Sequence, residues 1–400
     1  MVFSVAAFAA LDGDSTAVHR LEAEVVPGAI LHTNKFLRGS NPEVRTMNHS
    51  FVARLKYAFM PPPDSWQAQV YKGVYQGAGL AFHDFNPQLG NPASAYIFQG
   101  ATIKTLTRRL SFNYEWDFGV TYGWKPYDRE RHPDNHVIGS KMTAYIDAGL
   151  YLRWMLSKRW DLNAGATVTH YSNGNTAMPN AGLNVLGAKV SLAYYINRSG
   201  NQGDKSMISP EESITRPVPL TPQIPGWHTD VTLYGAWKRK GVDTTEGAYA
   251  IPGVFGVAGF NVNPMYAVNP WLNIGASLDA QYDHGSNITI DEEALTEPFW
   301  NGSEEDINIP AWYRQVAAGV SARAEFVMPY FTINFGIGHN FLNAQTNSFR
   351  GFYEVLALKI AMSRRLYLHI GYSIYDFYYP NNLMLGLGYR IPWKGKHKTI

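Results

Sequence analysis

No cysteine occurs among the 400 residues, which excludes a disulfide framework and all thiolate chemistry, whether nucleophilic or metal-binding. The redox compartment stays open, because an oxidising envelope space suits a cysteine-free chain as well as any other. No stretch reaches the roughly 18 consecutive apolar residues that a membrane-spanning helix needs, so the chain is not a helical membrane protein. Charge of one sign is also lacking: 34 Lys and Arg face 32 Asp and Glu, and this balance gives no sign of a nucleic-acid partner.

What the chain has in quantity is aromatic side chains and turn formers. Aromatics make up 14%, with 25 Tyr and 11 Trp, beside 36 Gly. Together with alternation over strand lengths and turn residues at short intervals, this is the signature of an outer-membrane β-barrel, with a soluble all-β sandwich or binding module as the alternative. The run 110–123 sets Leu110, Phe112, Tyr114, Trp116, Phe118, Val120 and Tyr122 on one face and Ser111, Asn113, Glu115, Asp117 and Thr121 on the other. Runs 142–155 and 160–172 behave alike, and each apolar face extends nearly the whole strand and ends in aromatics, as lipid contact requires. Short turns are expected at Pro61-Pro62-Pro63-Asp64, Thr107-Arg108-Arg109 and Ser157-Lys158-Arg159, with longer polar loops at 34–47, 84–92, 124–139 and 173–183. Short turns on one side and long loops on the other are the barrel arrangement. The inward Glu115, Asp117, Asp147, Arg153 and Lys189 point to an interior ion-pair network of structural kind.

About eight strands precede Arg198. Residues 199–227 then break the pattern with Pro210, Pro217, Pro219, Pro222 and Pro225, a proline-rich connector, and from 228 about eight further runs follow. Ser157-Lys158-Arg159-Trp160 aligns without a gap on Ser363-Arg364-Arg365-Leu366, which makes the halves look duplicated; the same register sets Asp376 and Tyr378 where the first half has His170 and Ser172. The expected organisation is therefore a remnant of an export signal at 1–15, a first half at 16–198, the connector, and a second half at 228–400 without the His and Ser.

His170 and Ser172 lie two apart in the run 160–172, share its outward parity, and put an imidazole within reach of a hydroxyl, the minimum for an activated serine. Counting back along the next strand from Ile196, the outward parity reaches Asn184, so antiparallel pairing brings Asn184 beside His170. A polar pair facing lipid near the interface is costly unless it has a partner or a task.

His170-Tyr171-Ser172-Asn173, followed after a gap by Pro179-Asn180-Ala181-Gly182 and a polar residue at 184, resembles the lipid A 3-O-deacylase (PagL) family, and the whole chain resembles its longer acyloxyacyl hydrolase-like outer-membrane homologues. The resemblance implies an all-β antiparallel transmembrane barrel protein of about 16 strands in two eight-stranded halves. The long connector and the family's self-closed unit favour two barrels over one wide barrel. It also implies that Ser172 is the nucleophile, His170 the general base, and Asn173, Gly174 and Asn180 the groups near the oxyanion or substrate. Asn184 departs from the family, which carries Glu there as the orienter of the histidine; Asn holds an imidazole by hydrogen bond but offers it no charge. The implied activity is hydrolysis of an acyl ester of lipid A or lipopolysaccharide in the outer leaflet, without cofactor or metal, in the outer membrane of a bacterium. The alternative of another class is a non-enzymatic barrel, pore or scaffold. Two further groups are weighed as surface features: the acidic run Asp291–Asp306 as a cation site and Arg129, Arg131 and His132 as phosphate contacts, both better explained by solvation.

Overall fold

The computed structural model describes residues 18–61, 65–198, 226–244, 247–251, 253–290, 307–344, 346 and 348–393. The expected export-signal remnant, nearly all of the connector and the acidic run 291–306 lie outside the described residues. No helix among those described is long and apolar enough to cross a membrane.

Eight strands, β1 (Val18–Leu31), β2 (His49–Met60), β3 (Tyr75–Asp84), β4 (Ala93–Thr105), β5 (Leu110–Tyr122), β6 (Met142–Met155), β7 (Trp160–Ser172) and β8 (Leu183–Ile196), pair antiparallel in chain order. The ladder closes on itself because β1 pairs with β2 on one edge and β8 on the other. Closure leaves no row of unpaired backbone groups, the condition for a sheet to stand in lipid. Strict alternation then sorts the side chains. Leu150, Leu152, Trp154, Val168, Leu186, Val190 and Leu192 are exposed on the outside, and Trp160 and Tyr194 meet at 4.9 Å at the short-turn rim.

Inside, the lumen is crossed by buried ion pairs. Arg54 binds Glu24 at 2.9 Å and Asp147 at 2.8 Å, while Lys189 binds Glu115 at 2.7 Å and Lys56 binds Glu24 at 3.0 Å. The inward acids read from β5 and β6 belong to this network, and Arg20, Glu22, Glu24, Arg54 and Lys56 on β1 and β2 complete it. At the long-loop end the loops fold inward: Phe36, Leu37, Phe85, Leu89, Trp124, Val137 and Ile138 join Tyr145 and Tyr171 in one buried cluster.

The turns at Thr107 and Ser157 are tight, each hydroxyl accepting the N–H groups two and three residues on. The connection after Met60 is not. Where a short turn is expected at Pro61-Pro62-Pro63-Asp64, the segment continues through a one-turn helix, Trp66–Val70, capped by Ser65 Oγ, before β3 begins. Of the expected turn, Pro62, Pro63 and Asp64 lie outside the described residues.

A second closed barrel comprises β9 (Gly226–Lys238), β12 (Phe255–Asn269), β13 (Leu272–Asp283), β16 (Val316–Val327), β17 (Phe331–Leu342), β18 (Phe352–Ala361), β19 (Leu366–Tyr375) and β20 (Tyr379–Pro392), with β20 returning to β9. Two short hairpins, β10 (Gly241–Thr244) with β11 (Gly247–Ala250) and β14 (Thr289–Ile290) with β15 (Ile307–Asn308), stand in its long loops. Its lumen is also ion-paired. His228, Asp230 and Glu325 have ligand-type atoms within 4.8 Å of one another, yet Lys359 and Arg390 already neutralise both carboxylates, at 2.9 Å and 2.8 Å from Asp230, so the cluster is a salt-bridge network and not a cation site. The turn at Ser363 repeats the Ser157 turn between the same pair of strands, the sixth and seventh of each barrel.

Candidate active site

The geometry of β7 and β8 follows from their register. His170 lies opposite Asn184 and also opposite Ile146 on β6, while Ser172 lies opposite Ala144. His170, Ser172 and Asn184 are half-buried on the outer wall, at the loop end of an apolar face. Tyr171, between them, points inward and is fully buried. Its ring meets Trp124 at 5.3 Å, His83 at 5.4 Å and Phe85 and Tyr145 at 5.7 Å, and its hydroxyl contacts His83 Nδ1 at 3.1 Å. The end of β7 is thus anchored from within while it displays two polar groups without.

His170 Nδ1 lies 2.6 Å from Asn184 Oδ1. An amide oxygen only accepts, so Nδ1 carries the hydrogen and Nε2 holds the lone pair. This fixes the tautomer suited to a general base. No hydrogen bond joins His170 to Ser172 among the described residues; contacts of this kind commonly close only around a substrate.

Behind the pair stands Gly182, whose backbone is left-handed at φ +73°. A Cβ there would lie 3.1 Å from His170 Cε1 and 3.7 Å from Ser172 Cβ, so glycine is needed both for the turn and for the close approach. Its N–H donates to Val137 O at 3.1 Å and the Ala181 N–H to His136 O at 3.2 Å. The loop 123–141 that supplies these carbonyls is itself fixed: Asn135 Oδ1 accepts from Val137 and Ile138 N–H at 3.2 Å, and Trp124 Nε1 donates to Thr143 at 2.9 Å. Gly182, Tyr171 and the Asn135 turn hold the site; Gly182 and Tyr171 lie within the motif, and the Asn135 turn lies outside it.

The groups expected near an oxyanion are partly brought together. Asn180 Oδ1 accepts the backbone N–H of Asn173 at 3.1 Å, so that donor is engaged within the loop. Gly174 follows with a left-handed φ of +63° and turns the chain out of the strand. Arg129 and Arg131 are exposed on the loop 123–141. Asp128 accepts the N–H of Arg131 at 2.9 Å and of Glu130 at 3.0 Å, and these bonds hold its carboxyl below the usual carboxylate range. That loop's cations remain at its surface. At the matching place in the second barrel Asp376 pairs with Arg350 at 3.2 Å in an exposed ion pair, and Tyr378 is exposed.

The profile described as Lipid A 3-O-deacylase (PagL) matches residues 51–193, and the one described as Acyloxyacyl hydrolase, C-terminal domain, matches residues 227–393. Among solved structures the chain is similar to the outer membrane enzyme PagL, at 16% identity over 43% of this chain and 97% of that one with a TM-score of 0.29. It is similar to Neisserial surface protein A at 8% identity over 44% and 97%, TM-score 0.29, and to the N-terminal β-barrel domain of Pseudomonas aeruginosa OprF at 8% over 44% and 97%, TM-score 0.26. No curated protein matches. The first match runs from β2 to β8 and the second takes in all eight strands of the second barrel: residues 51–193 belong to the lipid A 3-O-deacylase (PagL) family, and residues 227–393 to the acyloxyacyl hydrolase C-terminal domain.

Proposed function

We propose that the protein is an outer-membrane serine esterase that removes an ester-linked acyl chain from lipid A or lipopolysaccharide, with Ser172 as nucleophile, His170 as general base and Asn184 as orienter of the imidazole. The observation that carries this reading is the 2.6 Å contact from His170 Nδ1 to Asn184 on the outer wall, with Ser172 on the same face. Ser172 Oγ attacks the ester carbonyl carbon while His170 Nε2 takes its proton; the proton then passes to the departing sugar hydroxyl, and water attacks the acyl-serine to release the fatty acid and restore Ser172. The apolar face beside the pair, with Ile146, Ala148, Leu150, Ala166 and Val168, suits an acyl chain lying along the barrel wall. The Asn173 N–H, next in the chain after Ser172 and here bonded to Asn180 Oδ1, is the proposed donor to the oxyanion, which would take the place of that amide oxygen.

This chemistry needs export to the outer membrane, for which residues 1–15 are the proposed signal remnant, and places the esterase in the first half, 16–198. The second half, 228–400, brings no His and Ser to the matching strand end. A pore is disfavoured by the ion-paired lumen of each barrel. Mass spectrometry of lipid A from cells or vesicles carrying the protein tests the reading. Loss of one ester-linked acyl chain is expected with the unaltered protein and not with Ser172→Ala; identical lipid A in the two samples would remove the basis for the proposal.

A further inference from the structure

The second barrel carries a serine and a lysine in contact at its long-loop end. Lys240 lies two residues beyond β9, and its Nζ is 2.9 Å from the carbonyl of Gly285 and 3.1 Å from Ser348 Oγ. The backbone N–H of Asn287 donates to the same serine oxygen at 2.7 Å. Both neighbours of Ser348 Oγ are therefore nitrogens, and among the described residues no carbonyl or carboxylate accepts its proton. Asn287 has a left-handed backbone, φ +55°, uncommon outside glycine although asparagine tolerates it. Its side chain holds that posture, with Oδ1 accepting from Ser348 N–H at 3.4 Å and Nδ2 donating to Arg314 O at 2.7 Å. Three loops thus converge to fix one hydroxyl between an amine and an amide.

The state of Lys240 decides what this junction does. Burial lowers its pKa first, and the charge of Lys238 lowers it further, against the pull of Asp283, down to about 8. Those are the charged groups that act on it: Lys238 at the end of β9, itself paired with Asp283 at the end of β13. Its direct contacts, Gly285 O and Ser348 Oγ, carry no charge. When charged, Lys240 donates to Ser348; once neutral, its lone pair is the natural acceptor for the hydroxyl proton, and a lysine so placed is a known kind of base for serine.

We propose that Ser348 and Lys240 form a second nucleophilic site, independent of Ser172, that takes small carboxylic esters arriving from the aqueous side of the loops. Neutral Lys240 Nζ takes the proton of Ser348 Oγ as the oxygen bonds to the carbonyl carbon, with the Asn287 N–H steadying the charge that develops on Oγ beforehand. The carbon–oxygen bond to the alcohol then breaks and the alcohol leaves with that proton. Water attacks the acyl-serine, its hydrogens dividing between the released acid and Ser348 by way of Lys240.

The test uses the full chain in detergent with Ser172 replaced, Ser172→Ala, so that the first site is silent whatever its role, and a fluorophosphonate as probe. A phosphorus–oxygen bond to Ser348 forms as the phosphorus–fluorine bond breaks and fluoride leaves, and peptide mass spectrometry locates the adduct. Because the neutral lysine is the competent form, labelling is expected to rise about ten-fold between pH 7 and pH 9 and to level off above that. It is expected to vanish in Ser348→Ala and in Lys240→Arg, which keeps a cation at the junction but stays charged throughout. No adduct on Ser348, an adduct whose rate grows without levelling, or an unchanged rate in Lys240→Arg would each overturn the proposal. The pH profile is read on a protein whose lysine is intact, so it decides even where a substitution disturbs the loops.

Discussion

At the residue scale, the proposed site turns on one functional group, the side-chain amide of Asn184. Asn184 gives His170 an acceptor at 2.6 Å and so sets the tautomer, but an amide brings no negative charge to meet the imidazolium that the proposed proton transfer from Ser172 would form. Asn184→Glu is expected to raise the deacylation rate by about ten-fold or more, since charge-assisted bonds are roughly twice as strong as neutral ones. Asn184→Ala is expected to lower it by about ten-fold, the kinetic equivalent of losing one hydrogen bond of about 1–1.5 kcal/mol. Rates measured on the same lipopolysaccharide preparation check both. A glutamate variant no faster than the unaltered protein would mean that the charge of the orienter is irrelevant here.

At the level of elements, the sequence was most legible where structure is most local. Period-two alternation is a property of neighbours, so β5, β6 and β7 can be read directly, as can the parity that sends His170, Ser172 and Asn184 outward. The pairing of His170 with Asn184 agrees with that parity, which excludes slips by one residue; the choice among registers two residues apart is made by the fold. What joins distant parts of the chain could not be read. Nothing near Gly182 announces that Val137 O holds it or that His170 presses against it, and nothing near Tyr171 foretells its partners His83 and Trp124. The short helix Trp66–Val70 between β2 and β3 has no counterpart in the alternation either. Gly182→Ala is expected to cut deacylation by more than ten-fold while the barrel stays folded, because the new methyl meets both His170 and Ser172 and the backbone is left-handed. Circular dichroism with a rate measurement checks this, and unimpaired turnover would show that the pair tolerates the intrusion.

At the scale of the whole molecule, buried ion pairs cross the interior of each barrel. Arg54 with Glu24 and Asp147, and Lys359 with Asp230 and Glu325, occupy the lumens where a channel would hold water. The protein is accordingly expected to give no steady conductance above background in planar bilayers. Stable single-channel steps would contradict the filled interiors and favour a transport role. Removing one partner of such a network leaves a buried charge uncompensated, at a cost of about 3–5 kcal/mol, so these interiors also fix each barrel's shape.

The closing pairings carry a consequence of their own. His19 is the register partner of Ile196, and His228 that of Pro392, so each ring begins and ends at one point on one rim. A ring entered and left at a single point has no privileged first strand: it can be threaded into a longer polypeptide as a bead is strung, and its numbering can be restarted at any loop without altering which strands touch. That property permits a single chain to carry two such rings in tandem.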